Sequence, residues 1–111
     1  MARITRAAII QASNPAPPEA SIAETKKMMI DKHIKLIKQA ADQGAQVTCL
    51  QEIFYGPYFC AEQDTRWYEI AEQIPDGPTI KLMQELAKEH KMILVVPIYE
   101  VDMTGVYYNT A

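Results

Sequence analysis

Two short apolar runs, Ile4 to Gln11 and Val47 to Gln51, enclose a segment whose apolar residues recur at helical spacing, and this order constrains the fold more than any other feature. Ser21 precedes Ile22 with Glu24 three residues on, the pattern in which the serine hydroxyl accepts from the third helical amide and the glutamate reaches back to the serine amide. From there Ile22, Met29, His33, Ile37 and Ala40, with Ile30 and Leu36 beside them, return every three or four residues. Gly44 stands where a left-handed residue closes a helix. Strands separated by a helix pair in parallel, so the segment predicts one βαβ unit.

The same reading extends along the chain. Pro78 suits the first turn of a second helix, which Ile80, Leu82, Met83, Leu86 and Ala87 carry to about His90. Met92 to Val96 follows as a third strand, its ladder limited by Pro97. Ile98 to Val101 and Val106 to Thr110 flank Asp102-Met103-Thr104-Gly105 and predict an antiparallel hairpin. Between residues 55 and 77, Gly56, Pro57, Pro75, Asp76 and Gly77 mark an irregular stretch with one short helical turn around Trp67 to Glu72. The sum is an α/β fold, a sheet with helices packed on it. The run from Val106 to Ala111 reads as a strand with no polar tail, and an unpaired strand edge invites pairing. The expectation is that the protein continues, or that another chain covers this edge.

Composition narrows the class. With 49% apolar and 23% charged side chains over 111 residues, the chain has the make-up of one globular domain able to build a core without staples. Its longest apolar run, Met92 to Tyr99, falls far short of the ~20 residues a spanning helix needs, so no membrane partner is expected. Arg3 and Arg6 precede an apolar stretch, Ala7 to Ile10, too short for an export signal, which predicts a cytoplasmic home and free thiols at Cys49 and Cys60. Residues 1–45 carry seven basic and four acidic groups, mostly through Lys26, Lys27, Lys32, Lys35 and Lys38. A helix spreads these lysines around its solvent face, and no aromatic platform accompanies them, so no nucleic-acid partner is expected.

In α/β sheets, sites gather beyond the carboxyl ends of parallel strands. Glu52 occupies such a place, directly after Val47-Thr48-Cys49-Leu50-Gln51 and before Phe54, Tyr55, Tyr58 and Phe59. Those aromatics could exclude water and raise the carboxylate's proton affinity, as a general base or acid requires. A carboxylate at a strand end can equally cap a helix or pair with a cation, and pattern alone leaves this open. Cys60 has only Arg66 as a basic neighbour, against Glu62 and Asp64, so Cys60 and Cys49 read as buried structural thiols. His33 and His90 are isolated and the four glycines scattered, which implies no metal site, no cofactor and no phosphate-cradling loop.

Taken together, Leu50-Gln51-Glu52-Ile53-Phe54, Gly56-Pro57-Tyr58-Phe59-Cys60, Ile74-Pro75-Asp76-Gly77-Pro78 and Tyr107-Tyr108-Asn109-Thr110-Ala111 resemble the amino-terminal part of the nitrilase (carbon-nitrogen hydrolase) superfamily, over essentially the whole chain. Within it the chain is most similar to the N-carbamoyl amide hydrolases, which act on N-carbamoylputrescine or β-ureidopropionate. The resemblance implies that residues 1–111 are the first part of a single four-layer αββα sandwich. It also implies homo-oligomeric assembly, a small-molecule N-carbamoyl substrate, no cofactor and a Glu-Lys-Cys triad. Glu52 matches the triad's glutamate, the general base that takes the thiol proton and later activates water. Tyr58 resembles a substrate-contacting position, and Asn109 lies in a Tyr-Asn-Thr segment whose implied role is structural. The family's lysine and cysteine follow the matched region, and neither Cys49 nor Cys60 lies in a stretch like the nucleophile's. The resemblance therefore implies one third of a triad, inactive alone, within a longer amidase. The competing expectation is a non-catalytic module that pairs through Val106 to Thr110. Glu62 and Asp64 would suit a cationic polyamine end and Arg66 a substrate carboxylate, so the substrate stays open.

Overall fold

A computed structural model describes residues 3–111. In chain order these form β1 (Ala7–Ile9), α1 (Ile22–Asp42), β2 (Val47–Cys49), two 3-10 turns (Phe59–Ala61 and Thr65–Ile70), α2 (Pro78–His90), β3 (Ile93–Val95), β4 (Ile98–Met103) and β5 (Val106–Thr110). β1, β2 and β3 make a parallel sheet in that order, with Ala7 opposite Val47 and Val47 opposite Ile93. The strands are shorter than the apolar runs that encode them, although ladder bonds continue just outside, from Gln46 N to Arg6 O and from Ile10 N to Cys49 O.

The hairpin does not join this sheet. β4 and β5 pair antiparallel as a separate two-stranded unit, which corrects the expectation of one sheet. Pro97 stands between β3 and β4 and has no N–H to continue a ladder. The hairpin is instead hooked to the irregular stretch, where Glu72 N donates to Tyr99 O and Val101 N to Glu72 O. β4 also runs two residues further than its apolar pattern suggested, to Met103, and the turn tightens around Gly105 at φ +81°. That left-handed backbone is where glycine carries no steric penalty.

Both helices keep their sequence signals. Ser21 Oγ accepts from Glu24 N at 3.2 Å while Glu24 Oε2 accepts from Ser21 N at 2.9 Å. At the far end Gly44, at φ +80°, sends its N–H to Ala41 O, and Ala45 N reaches Ala40 O, the paired bonds of a left-handed helix stop. Met29, His33, Ile37 and Ala40 line the buried face. Lys26 departs from the lysine pattern: it turns inward, pairs with Glu72 and lies 4.8 Å over the Tyr55 ring. The start of α2 has no capping side chain of its own. Glu72 supplies one from outside, accepting from Thr79 N at 2.8 Å and Thr79 Oγ1 at 2.6 Å.

Strands that advance in one direction through right-handed crossovers set both helices on one face of the sheet. The core lies there, built from Ile37, Leu50, Phe54, Met83 and Ile98 among others. The opposite face is bare, with Ile9 86% and Ile93 63% exposed. Among the described residues no helix is long and apolar enough to cross a membrane.

Candidate active site

Glu52 begins where the sheet's bonding stops. Leu50 N still donates to Val95 O at 3.1 Å, and the Gln51 side-chain amide clamps both backbone groups of Ala12, with Nε2 donating to Ala12 O at 2.9 Å. These bonds tie the carboxyl ends of β1, β2 and β3 together immediately before the glutamate. The next residue, Ile53, sits in the left-handed region at φ +43°. For a β-branched residue this costs roughly 1–3 kcal/mol, and it persists only where packing over-determines it. Here Ile53, Phe54 and Tyr55 are all buried, so the turn sends three side chains into the core and leaves Glu52 outside.

This corrects the expected surroundings of the carboxylate. Phe54 and Tyr55 do not shield Glu52: Phe54 meets the His33 ring edge-on at 5.0 Å, and Tyr55 turns toward the hairpin. The Tyr55 hydroxyl donates to Tyr99 O at 3.2 Å and accepts from Tyr99 N at 3.0 Å, serving both backbone groups of one β4 residue. Burial pushes the Tyr55 phenol well above its ordinary value. Glu52 itself is exposed, and Tyr58 is 69% exposed. Phe59 stacks on Trp67 at 5.7 Å and touches Tyr99 at 5.1 Å, and the row continues from Tyr99 to Tyr107 and Tyr68.

The group that meets Glu52 comes from 57 residues away. Asn109 Nδ2 donates to Glu52 Oε1 at 2.6 Å. Asn109 lies on β5 opposite Tyr99, so the two residues share the hairpin face that also carries Tyr107. The adjacent Thr110 points the other way and donates to Glu100 Oε2 at 2.6 Å. The family resemblance implies a structural part for Asn109. Its signal was a polar residue at the alternate position of an aromatic strand face, which has no partner until the hairpin is docked.

The remaining candidates lie elsewhere. Cys60 is exposed in the first 3-10 turn, not buried as expected, and Cys49 is half-buried with Sγ 3.5 Å from Leu50 O; neither is in a disulfide. The acidic loop is partly neutralised from within, with Arg66 bridging Glu62 at 3.0 Å and Asp64 at 3.2 Å and lying 4.6 Å over the Trp67 ring. The Trp67 indole N–H donates to Glu62 Oε2 at 2.9 Å. That bond and then Arg66 hold the Glu62 carboxyl below its ordinary value. Among the described residues no three His, Cys, Asp or Glu side chains gather as metal ligands would. What the arrangement offers chemically is a solvent-accessible carboxylate on a rigid strand end, with one oxygen held and the other open to proton transfer.

Residues 6–111 match the family model for carbon-nitrogen hydrolase. Among relatives, the β-ureidopropionase of Arabidopsis thaliana is 36% identical over 111 residues, 98% of this chain and 27% of that protein. The N-carbamoylputrescine amidase of Solanum lycopersicum is 36% identical over 76 residues, 68% of this chain and 25% of that protein. The crystal structure of a carbon-nitrogen hydrolase from Helicobacter pylori G27 shares the fold with a TM-score of 0.79 at 20% identity, covering 95% of this chain and 33% of that one. The chain therefore spans only about a quarter to a third of the length of these proteins.

Proposed function

The chain belongs to the carbon-nitrogen hydrolase family, and from that premise we propose that it supplies the general base of an amidase acting on N-carbamoyl amines or amino acids, with Glu52 as that base. The observation that carries the reading is the placement of Glu52 at the carboxyl end of β2 on a strained turn, with one carboxylate oxygen engaged by Asn109.

In the proposed reaction Glu52 takes the proton of a cysteine thiol, and the thiolate sulfur attacks the ureido carbon. The tetrahedral intermediate collapses with loss of ammonia, which takes up the proton from Glu52, and leaves a carbamoyl thioester. Glu52 then removes a proton from water, the oxygen attacks the same carbon, and the C–S bond breaks to regenerate the thiol. The released carbamate falls to amine and carbon dioxide. The nucleophile and an oxyanion-stabilising lysine belong, on the family resemblance, to regions other than this segment. Tyr58, exposed on the loop after Glu52, is the proposed substrate contact. The relatives named as β-ureidopropionase and N-carbamoylputrescine amidase support the substrate class. The bare sheet face at Ile9 and Ile93 supports burial against further protein and homo-oligomeric assembly, and the two free thiols suit a reducing cytoplasm.

The test is ammonia release by the intact protein from N-carbamoylputrescine and N-carbamoyl-β-alanine. Glu52→Gln should lower turnover by about 10²–10⁴-fold, the usual worth of a positioned general base. Full activity in that variant would refute the assignment. A second reading, a non-catalytic module, draws on the outer edge of β5, which pairs only with β4 among the described residues. Activity separates the two: a catalytically silent intact protein that sediments as an assembly held through β5 supports the module, and ammonia release or a stable monomer counts against it.

A further inference from the structure

A general base must present one oxygen to the proton it takes, and a glutamate on an exposed turn has three side-chain torsions with which to miss. The left-handed Ile53 fixes the Glu52 Cα but not its carboxylate. What reaches the carboxylate is Asn109, and the connection is closed at both ends. The turn that begins with Glu52 carries Tyr55, whose hydroxyl binds Tyr99 N and O. Tyr99 is the residue opposite Asn109 in the β4–β5 register. The turn thus holds the hairpin in place, and the hairpin in return holds the carboxylate.

We propose that Asn109 is a positioning residue: its side-chain amide fixes Glu52 through Oε1 so that Oε2 is the oxygen that takes and returns the proton. The chemistry of the pair gives the direction. An amide NH₂ only donates, so it takes up one acceptor site of Oε1 and lowers that oxygen's proton affinity, which leaves Oε2, with both its sites free among the described residues, as the better acceptor for the thiol or water proton. The proposal rests on Glu52 being the base, and its test separates the two.

In the intact protein, Asn109→Ala and the near-isosteric Asn109→Leu, which lacks the donor, should each lower kcat on the order of a hundredfold while KM and the thermal midpoint stay near wild type. Because Asn109 acts through Glu52, Asn109→Ala combined with Glu52→Gln should be no slower than Glu52→Gln alone. Undiminished kcat in the Asn109 variants, or losses that multiply in the double variant, overturns the proposal while leaving Glu52 as base. Full activity in Glu52→Gln overturns both. Should the Asn109 variants fold poorly, NMR of the Asn109 side-chain amide decides: its proton resonance should move upfield when Glu52→Gln removes the charge, and an unmoved resonance refutes the contact.

Discussion

Replacing Glu72 with glutamine tests the buried ion pair that joins α1 to the start of α2. The Glu72 side chain is 5% exposed and that of its partner Lys26 is 21% exposed. The carboxylate also receives Thr79 N and Thr79 Oγ1, at 2.8 and 2.6 Å, and so occupies the positive end of α2. Glutamine keeps the shape and can still accept from Thr79 through its one carbonyl oxygen. It cannot balance the Lys26 ammonium, and its own NH₂ must face a donor. Removing one partner of a buried pair costs about 3–5 kcal/mol, and the residual exposure of Lys26 argues for the lower end, about 3 kcal/mol. With a urea slope of ~3 kcal/mol/M for the intact protein, the unfolding midpoint should fall by about 1 M. Lys26→Met alone should cost only about 1 kcal/mol, because the carboxylate keeps both Thr79 donors and the helix terminus. Adding Lys26→Met to Glu72→Gln should therefore recover part of the loss, since no unpaired charge remains buried. The assay is urea unfolding of the intact protein by circular dichroism at constant slope. A fall of less than about 0.5 M for Glu72→Gln, or a double variant that loses the sum of both singles, refutes the reasoning.

Two further outcomes follow from local geometry. Lys91 closes α2 in the left-handed region at φ +50° with its side chain exposed, a position that favours glycine, so Lys91→Gly should raise stability by about 0.5–1 kcal/mol, and an unchanged or lower urea midpoint would contradict this. The Glu62 carboxyl is held below the ordinary glutamate range by the Trp67 indole and then by Arg66, so its stabilising contribution is complete above that range and is lost as pH falls through the lowered folded value. Fluorescence of Trp67, the one tryptophan in the 111 residues, should therefore change at a pH below the ordinary glutamate range, and a transition at or above it, or one that survives Glu62→Gln, would exclude Glu62 as the source.

What could be read without tertiary structure depended on groups a few residues apart. The Ser21–Glu24 box marks the start of α1 because its bonds span three residues, and Pro78 marks the start of α2 because its fixed φ and missing N–H suit a first helical turn. The parallel pairing of β1 with β2 follows from the intervening helix, and Glu52 is placed beyond a strand end because the apolar run that starts at Val47 gives way to Gln51 and Glu52. Other features depended on distant partners. Lys26 carries the same helical spacing as its solvent-facing neighbours and turns inward only because Glu72 is brought beneath it. The separation of the hairpin from the parallel sheet, the left-handed turn at Ile53 and the exposure of Cys60 are likewise features of the folded chain that no short-range pattern carries. Asn109 is the clearest case. Its neighbours in sequence describe a strand, whereas its contact with Glu52 exists only after the chain has closed a loop of 57 residues. Short-range hydrogen bonds and apolar periodicity therefore determined the elements and set Glu52 beyond a strand end, and the docking of the hairpin decided what its carboxylate touches.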